Sequence, residues 1–356
     1  MIAENLRPVR VMVAGLGNMG LSHALAYDAN PGFEIVGLVN RSTPELPESL
    51  RSYPFFNSFD QALEELAPDL VCIATYSDSH ADYAVKAMER GADVFVEKPL
   101  ATNVADAERV VATAKATGAK LVVGYILRHH PSWTKLIAEA RALGGPYVFR
   151  MNLNQRSSGT HWETHKQLMK TTSPIVDCGV HYVDVMCQIT DAKPVQVRGM
   201  GLRLSPEIDS AMYNYGHLQV LFDDGSIGWY EAGWGPMMSE TAFFVKDVIS
   251  PNGCVSIVMD EGAKSADIDT HTKTSVIRVH SAKMDERGKL AEADRHLSME
   301  GEPDHQGLCD LEQAFVLRAI RENIDLTRHM GDAVQSLRIC LAADESVRTG
   351  QPVILA

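Results

Sequence analysis

The sequence predicts an α/β protein: a doubly wound parallel sheet in the first third of the chain, then an α+β domain with a large, mostly antiparallel sheet. Three observations predict it. Short apolar runs alternate with amphipathic stretches as far as about Arg128, the pattern of parallel strands covered by helices on both faces. Gly15-Leu16-Gly17-Asn18-Met19-Gly20 follows the first of those runs directly. Beyond Arg128 the rhythm changes to longer, more polar, strand-like segments. At 356 residues the chain exceeds what one core usually accommodates, so two domains are expected, 1–127 and 128–356.

In chain order, the β-branched runs at 9–14, 34–39, 70–74, 93–96 and 121–124 read as the parallel strands. Helices fill the gaps. The stretch 78–90 is stopped by Gly91 and the alanine-rich stretch 104–117 by Gly118, both C-terminal helix signals. In the second domain, 147–154, 216–222 and 226–232 read as strands, the last two joined as a hairpin by Asp223-Asp224-Gly225. One face of that sheet is expected to carry helices. The charged, poorly periodic segment 262–295 is expected to hold long strand connections or mobile loops.

The glycine motif has the setting that a dinucleotide site needs, a strand before it and a helix to about Ala29 after it. Gly15 permits a tight turn, Gly17 lets backbone amides approach a pyrophosphate, and Gly20 lets the helix lie close to the strand. Asn18 and Met19 sit at the helix amino terminus, whose dipole faces the phosphates. Alone, the motif also suits an ordinary glycine turn; its flanks favour a Rossmann-type nucleotide domain. The second strand ends in Asn40-Arg41-Ser42, where NAD enzymes usually present an acid to the ribose. A neutral Asn40 with Arg41 and Ser42 suits a 2′-phosphate, so NADP is expected over NAD. If Arg41 instead stacks on adenine or points to solvent, NAD is accepted as well.

Two further strands lead into Thr75-Tyr76-Ser77-Asp78-Ser79-His80 and Glu97-Lys98-Pro99, at the carboxyl edge where ligands bind in open α/β sheets. A later stretch, 175–188, reads as a helix with Asp177, His181, Asp184 and Gln188 along one face. Such a polar stripe in an apolar helix is paired internally or faces a cleft. With Gly15 to Gly20, Thr75 to His80, Glu97-Lys98-Pro99 and Asp177-Cys178-Gly179-Val180-His181 in this order, the chain resembles the Gfo/Idh/MocA oxidoreductase family over most of its length. Tyr76, where proline is common, and Asn40 depart from the pattern. The resemblance implies a nicotinamide-dependent oxidoreductase acting on a sugar, cyclitol or related polyol. It implies Lys98, Asp177 and His181 as catalytic residues, and Thr75, His80, Glu97 and Lys98 at the cofactor. It also implies a pocket region around Arg156, Trp162 and His165, with Tyr125 and Arg128 bordering it, and a homodimer or homotetramer formed through a sheet surface near Trp229 and Trp234. A redox-neutral glycosidase with retained NAD and a non-catalytic nucleotide sensor are the alternatives on this fold.

The remaining signals exclude other classes. A net charge of −13 without a basic run disfavours nucleic acid and anionic membranes. No apolar run approaches membrane-spanning length, and the opening Met-Ile-Ala-Glu-Asn-Leu-Arg lacks the features of a secretory signal, so the cytoplasm is expected. Six scattered cysteines without a CxxC pair read as packing thiols. His161, Glu163 and His165 lack the HExxH helix spacing, so no metal is expected.

Overall fold

The computed structural model describes residues 7–239, 245–258 and 274–355. The amino-terminal reading falls largely outside them, as does part of the segment 262–295. The chain divides into two compact units: residues 1–126 with 306–334, and residues 127–305 with 335–356.

The first unit is built on a six-stranded sheet ordered β3-β2-β1-β4-β5-β6, every pair parallel. Its strands are β1 (Val9–Ala14), β2 (Phe33–Val39), β3 (Phe55–Phe56), β4 (Leu70–Ile73), β5 (Asp93–Glu97) and β6 (Leu121–Gly124). Between them run α1 (Asn18–Ala29), α2 (Phe59–Leu66), α3 (His80–Glu89) and α4 (Val104–Thr117). The five expected strands are present. The two-residue β3 is too short to leave a periodic signal and exists through pairing with Leu38 and Val39. Gly118 closes α4 in the left-handed conformation at φ 77°, as its sequence position indicates.

The second unit carries α5 (Pro131–Leu143), β7 (Val148–Arg156), α6 (Gly159–Leu168), α7 (Pro174–Asp177), α8 (Gly179–Ile189), β8 (Pro194–Leu202), β9 (Tyr215–Phe222), β10 (Ile227–Gly235), β11 (Lys246–Ser250), β12 (Gly253–Val258), β13 (Val276–Ser281) and β14 (Arg295–Ser298). Helices α9 (His305–Arg321) and α10 (Thr327–Thr349) and strand β15 (Val353–Ile354) complete the chain. The sheet order is β14-β13-β12-β11-β7-β10-β9-β8-β15, antiparallel except for the central β7/β10 pair. The expected hairpin forms, with Leu221 opposite Ile227 and Gly225 at φ 83°. The described part of the segment 262–295, expected to hold long strand connections or mobile loops, contributes β13 and, at its last residue, the start of β14.

The division falls at 126/127, within a residue of the expected one, but the expectation of a single domain over 128–356 needs a correction. Residues 306–334 return to the first unit, because Val316 and Ala319 of α9, together with Leu326, share one apolar core with Tyr27, Phe33, Leu38, Cys72 and Phe95. This carboxyl-terminal segment therefore closes the nucleotide unit; helix α10 passes from the first unit into the second.

The two tryptophans of the long central strand divide between its faces. Side chains alternate across a strand, so Trp229 and Trp234 of β10 face opposite sides of their sheet. Trp234 is buried, whereas the outward row carries Ile354, Leu221 and Ile227, at 71, 39 and 47% exposure. Among the described residues no helix is long and apolar enough to cross a membrane.

Candidate active site

The glycine loop occupies the carboxyl end of β1, and its three glycines answer to three different constraints. Gly15 adopts φ +90°, and a Cβ there would lie 2.4 Å from the carbonyl oxygen of Ala74. A Cβ on Gly20 would lie 1.9 Å from the oxygen of Gly15. Gly17 is exposed, and a Cβ there would meet no atom within 4 Å. The first two are needed by the fold, and the third leaves open the side from which a ligand reaches the backbone. Gly17 caps α1 without a side-chain hydrogen bond, and no acid occupies the first turn. The helix amino terminus therefore keeps its free amides and positive dipole end, and the loop fits a dinucleotide pyrophosphate.

The end of β2 is tied to this loop. Leu16 N donates to Asn40 Oδ1 at 3.3 Å, and Asn40 Nδ2 donates to the Ser42 carbonyl at 2.6 Å. Arg41, exposed, lies 5.8 Å over the ring of Tyr76, which is 47% exposed. Thus the departure at Tyr76 supplies a platform for the Arg41 cation, and Ser42 remains exposed beside it.

Two expected cofactor contacts turn inward. His80 is buried, with Nδ1 2.8 Å from the Pro99 carbonyl and Nε2 3.0 Å from the Thr75 carbonyl. It is a strut between the ends of β4 and β5, and burial holds its imidazole below the usual histidine range. Thr75 is held by a 2.7 Å hydroxyl contact with Ser79. Glu97 is also buried; its Oε1 meets His23 Nε2 at 2.7 Å and its Oε2 accepts from Lys98 N at 3.1 Å. Alternation explains the inversion: with Glu97 directed inward at the last position of β5, the next residue, Lys98, is half-buried at the edge.

In the second unit, the expected helix 175–188 is observed as α7 and α8, joined at Cys178. Ser173 caps α7 by accepting from Val176 N at 3.1 Å and donates to Asp344 at 2.8 Å. Asp344 also accepts a hydrogen bond from the Tyr213 hydroxyl. This buried network fixes the turn that ends at Asp177. The polar stripe then splits. Asp184, fully buried, accepts from Arg128 at 2.8 and 2.5 Å and from Gln188 Nε2 at 2.9 Å, whereas His181 is half-buried one turn earlier. Arg128 is therefore engaged by a structural carboxylate, and Tyr125 is fully buried with its ring against His329 at 6.4 Å.

The pocket region around α6 is resolved residue by residue. His165 stacks on Trp234 at 4.3 Å and 12°, with Nδ1 3.0 Å from Ser157 Oγ. Burial lowers its pKa to about 4, against a smaller raising effect of the Asp177 carboxylate. Trp162 is buried, donating to Glu207 at 3.3 Å with Lys166 5.8 Å over its ring. Arg156 is exposed at the end of β7. His161 and Glu163 are exposed, and Glu163 pairs with Lys166 at 2.8 Å.

Two residues here escaped sequence reasoning. Gln155 accepts from Trp234 Nε1 at 2.9 Å and contacts Cys178 Sγ at 3.7 Å. Lys246 is buried with Nζ 4.1 Å over the Tyr182 ring, and burial pushes its ammonium well below the usual lysine range. Strand alternation would have placed Gln155 inward, but Lys246 lies in a strand that left no periodic signal.

A family model described as an oxidoreductase family with an NAD-binding Rossmann fold matches residues 9–125, and a model of that family's C-terminal domain matches residues 134–245. The chain belongs to the Gfo/Idh/MocA family. Its first unit is an NAD-binding Rossmann domain. Among its relatives, a Bacillus subtilis scyllo-inositol 2-dehydrogenase (NAD(+)) is 24% identical over 98% of this chain and 96% of its own length. A Sphingobium 4-carboxy-2-hydroxymuconate-6-semialdehyde dehydrogenase is 31% identical over 44% of this chain and 54% of its own length. The Lactobacillus casei scyllo-inositol dehydrogenase, solved with NAD(H) and scyllo-inositol, has a similar fold: TM-score 0.74 at 18% identity, covering 98% of this chain and 99% of that one. An oxidoreductase domain protein from Kribbella flavida gives 0.78 at 21% identity, covering 99 and 100%.

Proposed function

We propose that this Gfo/Idh/MocA protein is a reversible dehydrogenase that oxidises a CH–OH group of a cyclitol or sugar-like polyol to a ketone. The observation that carries it lies within the first unit: a glycine loop open at Gly17 and a half-buried Lys98 occupy the same carboxyl edge, at the ends of β1 and β5. A bound nicotinamide dinucleotide supplies the hydride acceptor, or in reverse the donor. Gly15, Gly17, Asn18, Met19 and Gly20 hold its pyrophosphate. Lys98 hydrogen-bonds the reacting oxygen and stabilises the negative charge that grows there as the hydroxyl proton leaves, or in reverse as hydride adds to the ketone. His181 takes the hydroxyl proton, a role suited to an imidazole, and Asp177 orients it. The stacked His165, with Trp234 behind it, offers a flat wall and a ring nitrogen to a polyhydroxylated substrate.

The end of β2 supports NADP over NAD. No carboxylate is present in Asn40-Arg41-Ser42 to accept from a ribose 2′-hydroxyl, while Arg41 and Ser42 are exposed there. Titrating the purified chain with NADPH and NADH and following nicotinamide fluorescence tests this. Binding of NADPH at least tenfold tighter, about 1.4 kcal/mol, is expected; equal or tighter NADH would overturn the preference and leave the dehydrogenase reading intact.

A further inference from the structure

Behind the edge that presents Lys98, the first unit encloses a second group of titratable side chains. Glu312 of α9 is fully buried and faces His23 of α1 and Glu97 of β5; an oxygen or nitrogen of each lies within 4.8 Å of the others. Neither Glu312 oxygen meets a hydrogen-bond partner among the described residues. Tyr27, Cys72 and Cys309 also face it from α1, β4 and its own helix.

The hydrogen bonds around it run in one direction. Tyr27 donates to Gln313 Oε1 at 2.6 Å, and Gln313 Nε2 donates to His23 Nδ1 at 3.0 Å. With Nδ1 an acceptor, the ring proton sits on Nε2 and is donated to Glu97 Oε1 at 2.7 Å. Glu97 also accepts from Lys98 N, so both of its oxygens act as acceptors. Glu97 is thus the anion of the group, and His23 is already committed to it through Nε2. Two like charges this close in a dry interior are not held together.

We propose that Glu312 is a carboxylic acid rather than a carboxylate at neutral pH, and that its proton leaves Glu97, from which the Lys98 main chain hangs, as the one anion of this cluster. Glu312 is then a positioning residue for Lys98. That last step rests on the catalytic reading of Lys98; the protonation state does not. Burial, and in the same direction the charge of Glu97, push Glu312 well above the usual carboxylate range. The unfolded chain gives up this proton in the ordinary range and the native chain retains it. Native stability is therefore lost as pH rises from that range through the native pKa.

The test is the Tm of the full chain and of Glu312→Gln between pH 5 and 9. The variant cannot ionise, so its Tm should match the wild type near pH 5 and exceed it increasingly above, by roughly 5 °C at pH 8. In the wild type, infrared spectra should show the C=O band of a carboxylic acid at pH 7, absent from Glu312→Gln, a readout that needs no variant stability. A constant Tm loss in the variant at all pH values with no such band would overturn the proposal, and a matching Tm loss of the wild type in EDTA would assign the cluster to a bound cation instead. With substrate in hand, the wild-type kcat should fall at alkaline pH before that of Glu312→Gln while the dinucleotide KM stays level. If Tm and infrared behave as stated and kcat falls identically in both, the protonation stands and the positioning role is wrong. If no turnover is found with any substrate, the catalytic reading of Lys98 fails instead.

Discussion

Lys98→Ala is expected to lower kcat by on the order of a thousandfold while changing dinucleotide affinity by less than about threefold. Loss of a group that stabilises charge only in the transition state lowers kcat and kcat/KM together. The main chain at this position is held independently of the side chain, by the hydrogen bond from Lys98 N to Glu97 Oε2 and by the His80 strut on Pro99. Truncation should therefore remove the ammonium without moving the edge. Steady-state rates beside fluorescence binding of the reduced nicotinamide check this. Unchanged kcat would remove Lys98 from the chemistry, and parallel loss of binding would make it a cofactor anchor only.

The glycine loop gives the second large effect, because neighbouring glycines should fail in opposite ways. Gly17→Ala places a methyl in open space at φ −76°, which alanine accepts. Its Tm should stay within about 1 °C of the wild type, while dinucleotide Kd rises at least about tenfold because the methyl stands where backbone must approach pyrophosphate. Gly15→Ala puts a Cβ 2.4 Å from the Ala74 carbonyl oxygen at φ +90°, a backbone clash and a conformational strain together, costing about 3 kcal/mol of folding stability. Calorimetry with a binding titration on each variant separates the two. An alanine at 17 that leaves affinity intact would contradict the placement of the pyrophosphate.

How much of this was legible in the sequence depends on the range of the forces involved. The five longer strands of the first unit, the Gly118 helix stop and the Asp223-Asp224-Gly225 hairpin are local: periodicity and turn chemistry specify them within a few residues. The return of α9 to the first core was not legible, because Val316 shares a core with Tyr27 and Phe33 across nearly the whole chain. The same limit applied to side-chain direction. Motif order singles out His80 and Glu97, but only the structure shows that both point inward, one to main-chain carbonyls and one to His23. The stripe from Asp177 to Gln188 reads as one face in the sequence, but its Asp184 half is consumed by Arg128, a partner 56 residues away. Gln155 and Lys246 were missed because single polar residues in strands declare no function until their neighbours are known.

The central claim, hydride transfer to a nicotinamide from a polyol, is tested most directly by nicotinamide absorbance when the purified chain is mixed with NADP or NAD and a panel of cyclitols and sugars. The account predicts substrate-dependent formation of the reduced nicotinamide with at least one of them, abolished in Lys98→Ala. Tight binding of both dinucleotides with no reduction by any polyol, and no oxidation of NADPH or NADH by the matching ketones, would contradict it.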